Sequence, residues 1–355
     1  MSLPTNHPLV SGKTSASAMV LALNGVAQAT PPIWFMRQAG RSLPEYREIR
    51  NGIPMLDSCL RPELASEITL QPVRRHKVDA AVFFSDIVIP LKLAGVEVEI
   101  VPGIGPVLNS PVRTRSDYKK LRSLHEDALS PITDAIKLCI AELGGVPLLG
   151  FGGAPFTLAS YLIEGRPSKD LPSCHAMMKE DPELWSDILE WCAEITAKFL
   201  RTQIIAGASA IQLFDSWAGR LTPLQYETFA MPHSKKVFDL ISDLPVPRIA
   251  FGVGTHAILK QMRSTGATVM GIGRDTTLLE AVNILGTDIP LQGNLDPELL
   301  LGDWSNIEVA ARKIIQEGRA AKSHIFNLGH GVIPETDPEV LTRLVDYVHA
   351  TEKIG

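Results

Sequence analysis

Ala210-Ile211-Gln212-Leu213-Phe214 is a short, β-rich, largely apolar run that closes on the polar pair Asp215-Ser216. It follows directly on a stretch, 183–206, with helical periodicity, in which Leu184, Ile188, Cys192, Ile195, Phe199 and Ile204 approximate a core-facing stripe. Asp181 before Pro182 supplies an N-cap and a first-turn proline for that helix. A strand that is apolar at successive positions is buried on both faces, as strands are in a parallel sheet covered by helices.

The same kind of run recurs on either side of this unit. Residues 33–36, 80–84, 147–151, 248–251, 268–272, 289–291 and 324–328 bring the total to eight. Helical segments separate them, including a short turn at 297–300, a helix near 307–317 and a terminal helix at 338–349 capped by Asp337. Eight alternations of strand and helix predict an α/β fold, a single (β/α)8 TIM-type barrel, with a doubly wound open sheet as the alternative. The whole chain, 1–355, reads as one barrel domain, with about 1–28 as an N-terminal extension and first helix. The polar, Pro- and Gly-containing segment 164–173 reads as a long loop or lid.

Composition narrows the functional classes. Hydrophobic residues make up 45% of the 355, enough for a large core, and the net charge of -5 does not suit a nucleic-acid or polybasic membrane-surface protein. An anionic ligand must therefore be held by local cations. Cys59, Cys139, Cys174 and Cys192 show no C-x-x-C or Cys/His spacing, so no metal site is expected and the thiols read as reduced and buried. The first residues lack a basic segment followed by an apolar core, and no apolar run is long enough to cross a bilayer. A cytoplasmic location is the expectation.

Barrel chemistry sits at the C-terminal ends of the strands. Those ends carry Arg37 and Arg41, Ser85 and Asp86, the loop 152–155, Asp215 and Ser216, and later His256, Arg274, Asn294 and His330. Arg37-Gln38-Ala39-Gly40-Arg41 places two guanidinium groups four residues apart, suited to carboxylates, although Arg41 pairing with Glu45 on a solvated face is an even alternative. Asp86 either points into a cleft, where it accepts N–H donors or stabilises positive charge, or it caps the next helix or pairs with a nearby arginine. His330, between Gly329 and Gly331, either contacts a ligand or moves protons, or is structural. The 150–155 segment lacks the phosphate-loop and dinucleotide patterns, and G-x-S-x-G is absent.

Taken together, these motifs resemble the uroporphyrinogen decarboxylase family. The resemblance lies in residues 32–41 with Pro44-Glu45-Tyr46, in 150–158 with 161–165, and in Phe84-Ser85-Asp86. It continues at 214–219, at 292–297, and at 326–331 with Pro334-Glu335-Thr336. Two positions depart from the family pattern: Ser42 stands in place of a tyrosine, and Gly273-Arg274 in place of Asp-Trp.

The resemblance implies a cofactor-free carboxy-lyase of heme biosynthesis. Such an enzyme converts the four acetate arms of uroporphyrinogen III to methyls, giving coproporphyrinogen III. It also implies a homodimer with no nucleic-acid or membrane partner. By the same resemblance Arg37, Gln38, Ala39, Gly40 and Arg41 form the carboxylate-binding segment, and Asp86 accepts the pyrrole N–H groups. Phe84, Phe151 and Phe214 floor the cleft, and Tyr161, Ser216 and His330 make further contacts. On that reading Asp86 would be the charge-stabilising catalytic group, with Arg37, His330 or a bound hydronium as the proton donor.

Two other classes compete. A corrinoid-linked thiol methyltransferase of the same fold family needs His-x-Cys and a later Cys for zinc, but His256 is followed by Ala257 and Ile258, and Gly329-His330 occupies the later position. A non-catalytic tetrapyrrole carrier would not need Asp86.

Overall fold

A computed structural model describes residues 2–40 and 42–351. Seven of the eight runs expected as strands take their place in one curled parallel sheet. Its members are β1 (Ala81–Val82), β4 (Leu148–Gly153), β5 (Ala210–Asp215), β6 (Arg248–Gly252), β7 (Val269–Gly271), β8 (Leu291–Gln292) and β9 (His324–Ile325), in that order. The eighth run, at 33–36, forms a single parallel bridge from Ile33 to Phe326. It closes the ring all the same. Phe326 N–H donates to Pro32 O at 2.9 Å on one side, and Asp79 N–H donates to Ile33 O at 2.8 Å on the other. Asp79 Oδ2 also accepts Ile33 N–H at 2.7 Å, so a side chain completes the last seam of the barrel.

The helix delivering β5 spans Pro182–Ala206, with Asp181 accepting Leu184 N–H at 3.0 Å as its cap. Its Gln203 is fully buried and serves β4: Oε1 accepts Phe151 N–H at 3.0 Å, and Nε2 donates to Phe151 O at 2.9 Å. The last helix, Pro338–His349, starts from Asp337 as expected.

An antiparallel hairpin, β2 (Val98–Val101) with β3 (Gly105–Leu108), has no counterpart among the expected strands. It docks through Leu108 N–H to Gly165 O at 2.8 Å, against the end of the helix Pro155–Glu164. The expected lid at 164–173 is correspondingly shorter. Gly165, at φ 81°, ends one helix and Pro172 begins the next, Pro172–Glu180.

Two apolar clusters divide the interior. The larger lies between sheet and helices. The smaller fills the barrel lumen and includes Trp34, Met36, Val82, Leu149, Phe251 and Ile325, with Met19, Ala22 and Leu23 of the helix Ala18–Leu23 packed in from the N-terminal side. Ser323 Oγ donates to Ala22 O at 2.6 Å, pinning that helix across the bottom of the barrel. Chemistry is left the opposite, C-terminal mouth.

Replacing Gln203 by leucine keeps volume but strands both main-chain groups of Phe151. A buried unpaired group costs about 1–3 kcal/mol, so urea unfolding of Gln203→Leu should show a loss of about 2–4 kcal/mol with an unchanged m-value.

Candidate functional site

The loop after residue 36 turns sharply because Arg37 adopts φ 63°, a left-handed conformation uncommon for a residue with a side chain. Gln38 fixes that turn. It is wholly buried, its Oε1 accepts Phe35 N–H at 2.9 Å, and its Nε2 donates to Ala80 O at 2.9 Å. Its amide is thus fully engaged in bracing the loop to the next strand. Ala39 and Gly40 are half-buried, and Arg37 is exposed. Among the described residues Arg37 makes no ion pair, while its charge lowers the pKa of Asp86, Tyr161 and His330 alike. The three groups therefore gather around one free cation. Arg41 lies outside the described residues. Glu45, the alternative partner for Arg41, takes a two-pronged bond from Arg75 at 2.8 and 3.0 Å.

Asp86 follows β1 and is half-buried at the mouth. Its Oδ1 accepts Val88 N–H at 3.0 Å, just before the helix Ile89–Leu93. Capping and cleft-facing roles thus coexist: one oxygen fixes the carboxyl, and among the described residues Oδ2 has no partner. Burial raises its pKa, opposed by the Val88 N–H and by Arg37.

His330 is half-buried, and its Nδ1 accepts the N–H of Gly331 at 2.7 Å, which leaves Nε2 as the ring's donor. Burial lowers its pKa, and Arg37 and Arg274 push the same way. At neutral pH the ring is uncharged. Tyr161, buried on the helix Pro155–Glu164, has its phenol pKa raised by burial and its ring edge-on to Trp217 at 6.2 Å.

Below these groups lie aromatic rings. Phe151 and Phe214, both half-buried, meet edge-to-face at 5.5 Å, and Phe214 meets Phe251 at 5.7 Å. These rings cap the lumen cluster. Phe84 does not join them. It is buried in the outer cluster against Tyr46, with ring centroids 5.7 Å apart. Ser216 is half-buried and follows directly on β5, two residues beyond Phe214. His256 is exposed, with Nδ1 3.2 Å from Thr276 Oγ1.

Sequence reasoning gave no role to two neighbours of the site, Phe251 and Trp217, and named Arg274 only as a strand-end group and a departure from the family pattern. Phe251 ends a strand, but nothing in sequence says which face a ring takes when both faces are apolar. Arg274 N–H donates to Gly329 O at 3.2 Å, and a Cβ on Gly329 would collide with the Arg274 main chain. Its guanidinium bonds Asp296 at 3.1 Å and Glu298 at 2.6 Å.

The arrangement brings aromatic rings, a guanidinium with no ion pair among the described residues, a fixed carboxylate and a neutral imidazole to one end of the barrel. It suits a flat, anionic, N–H-bearing ligand. Among the described residues no three His, Cys, Asp or Glu side chains are grouped to hold a metal ion, all four cysteines are free and buried, and no helix is long and apolar enough to cross a membrane.

The model of the uroporphyrinogen decarboxylase (URO-D) family matches residues 14–351. A uroporphyrinogen decarboxylase of Arthrobacter sp. is 55% identical over 339 residues, covering 96% of this chain and 98% of that protein. One from Streptomyces avermitilis is 54% identical over 336 residues, covering 95% of each. Among solved structures, a methyltransferase from Methanosarcina mazei superposes with a TM-score of 0.80 at 19% identity, over 95% of this chain and 99% of that one, a likeness of fold.

Proposed function

The chain belongs to the uroporphyrinogen decarboxylase family, and we propose that it strips carbon dioxide from the four acetate arms of uroporphyrinogen III, leaving methyl groups. The gathering of Asp86, Tyr161 and His330 around Arg37, which makes no ion pair among the described residues, at the barrel end that also carries the Phe151 and Phe214 rings, supports this reading most directly.

Loss of carbon dioxide from an acetate arm leaves an electron pair on the methylene, which needs a sink. Protonation of the adjacent pyrrole carbon makes the ring cationic. Cleavage of the methylene–carboxyl bond then sends its electron pair into that ring. The exocyclic methylene takes a proton to become methyl, and the ring carbon gives its proton back. Each turnover consumes one proton and releases one carbon dioxide, and the substrate supplies its own electron sink.

In this mechanism the protein contributes placement and charge. Asp86, its Oδ1 fixed by Val88 N–H, presents Oδ2 to the pyrrole N–H groups and stabilises the cationic ring. Arg37 holds a carboxylate, and Arg41, which lies outside the described residues, is proposed to hold another. The N–H groups of Ala39 and Gly40 are proposed to assist them. Gln38 serves by holding that loop in place, and Phe84 by supporting the wall behind Tyr46. Tyr161, Ser216 and the neutral His330 line the cleft as hydrogen-bonding groups.

His330, uncharged and without a charged partner, is better suited to donate a hydrogen bond from Nε2 than a proton, which leaves Arg37 or a bound hydronium as the proton source. The whole chain is proposed to act as one domain, as a homodimer, in the cytoplasm, where four unpaired thiols stay reduced.

The deciding experiment is anaerobic incubation of the dialysed protein, with chelator and no added cofactor, with chemically reduced uroporphyrin. Seven-, six-, five- and four-carboxylate products should appear in turn. Unchanged eight-carboxylate material from a folded protein that binds it would favour a carrier.

Asp86→Asn keeps the cap but weakens the anion, and removal of a preorganised group of this kind costs about 10²–10³ in kcat. Melting temperature and circular dichroism should stay near wild type. Turnover within threefold of wild type would remove Asp86 from the mechanism.

His330→Asn retains a donor, so its pH–rate profile should keep the wild-type shape, with the loss confined to a severalfold rise in KM. Disappearance of a limb of that profile would instead make His330 a proton-transfer group.

A further inference from the structure

Asp215 closes β5, one residue before Ser216, and the mechanism above leaves it without a task. Its carboxyl is almost fully buried, at 3% exposure. Oδ1 accepts the Thr157 hydroxyl at 2.8 Å, and among the described residues Oδ2 has no partner. The surrounding elements offer no cation among the described residues. The helix Pro155–Glu164 presents Thr157, β6 presents Gly252, and the helix Pro223–Phe229 presents the buried phenol of Tyr226, whose pKa Asp215 pushes further up. A buried carboxylate with one neutral donor and no counter-charge is costly.

Thr157 carries the connection onward. Its Oγ1 also accepts Trp217 N–H at 3.3 Å, so one hydroxyl ties the Asp215 carboxyl to the backbone just past Ser216. Four residues along the same helix face stands Tyr161, whose ring meets that of Trp217 edge-on at 6.2 Å. Asp215, Thr157, Trp217 and Tyr161 thus form a chain behind the cleft wall, with Ser216 held between its links.

We infer that Asp215 is a positioning residue: in its neutral form it braces Thr157, and through Thr157 both the Ser216–Trp217 backbone and the helix face that carries Tyr161. Ionisation tightens the Thr157 bond, which favours the charged form, but leaves an uncompensated charge on Oδ2 that strains the packing of the wall around it. Burial holds the carboxyl neutral up to about pH 7. The unfolded chain gives up the same proton in the ordinary carboxylate range, so ionisation subtracts folding stability progressively as pH rises between those points.

The inference rests on the decarboxylase reading for its kinetic readout, so a second readout needs no substrate. Infrared difference spectra of the whole protein, from about pH 6 to about pH 8, should show a protonated-carboxyl carbonyl band that fades as pH rises and is missing in Asp215→Asn. Over the same window kcat/KM of the wild type should fall about fivefold more than that of Asp215→Asn, whose amide mimics the neutral acid. Thr157→Val should lower kcat/KM severalfold, and Thr157→Ser should restore it.

Absence of the band, parallel pH profiles for wild type and Asp215→Asn, or equal activity of Thr157→Val and Thr157→Ser would each overturn the inference. If Asp215→Asn does not fold, the threonine pair still decides. If no protein in the series decarboxylates the substrate, the functional reading fails while the infrared band still reports the state of Asp215.

Discussion

Everything at the active mouth depends on how the ring closes. Seven short strands alone would leave an open, curled sheet. The segment 32–36 joins its two ends with one main-chain bond to Asp79, two with Phe326, and the Asp79 carboxylate. That carboxylate also binds His349 Nε2 at 2.8 Å, so the terminal helix is tied to the same seam. The closing segment runs straight into Arg37. The cation that gathers Asp86, Tyr161 and His330 is therefore placed by the same few hydrogen bonds that make the sheet a barrel, and the seam and the site share one scaffold.

Inside the ring a chain of buried amides runs among the apolar side chains. Trp34 Nε1 donates to Gln292 Oε1 at 3.1 Å, and Gln292 Nε2 donates to Gln212 Oε1 at 2.8 Å, linking the closing segment, β8 and β5 across the lumen. Buried amides cost folding energy unless their partners are met, and here most of them are. Such a link fixes the rotation of three strands relative to one another, which purely apolar contacts do loosely. The Phe151, Phe214 and Phe251 rings lie in that same lumen cluster with their orientation set.

The periodic part of this architecture was legible from residues alone, because strands buried on both faces read as unbroken apolar runs. The hairpin of β2 and β3 was not. Its residues are mostly half-exposed and short, so they give neither an apolar run nor a clean alternation. At the site, residue type located the strand ends but not the direction of side chains. Gln38 sits between the arginines in sequence, yet its amide points into the fold. Phe84 ends a strand as Phe151 and Phe214 nearly do, yet it packs outward on Tyr46. Asp215 went without a role because its significance is the lack of a counter-charge in three dimensions, which a linear pattern does not carry.

Arg274 shows how a conspicuous charge change is absorbed. Replacing an apolar wall position by arginine looks like an added anchor for an anionic substrate. In the fold its guanidinium is already shared between Asp296 and Glu298, with Asp275 beside it, so the rim there carries a net negative charge. Exposed pairs of this kind contribute about 0–1 kcal/mol each. What the position does supply is its backbone, which lies against Gly329 and donates to its carbonyl. That contact shapes the loop presenting His330. The side chain lowers the pKa of His330 from a distance, keeping the imidazole neutral beside Arg37. The free positive charge among the described residues around His330 is thereby concentrated on Arg37, which stays exposed and makes no ion pair there.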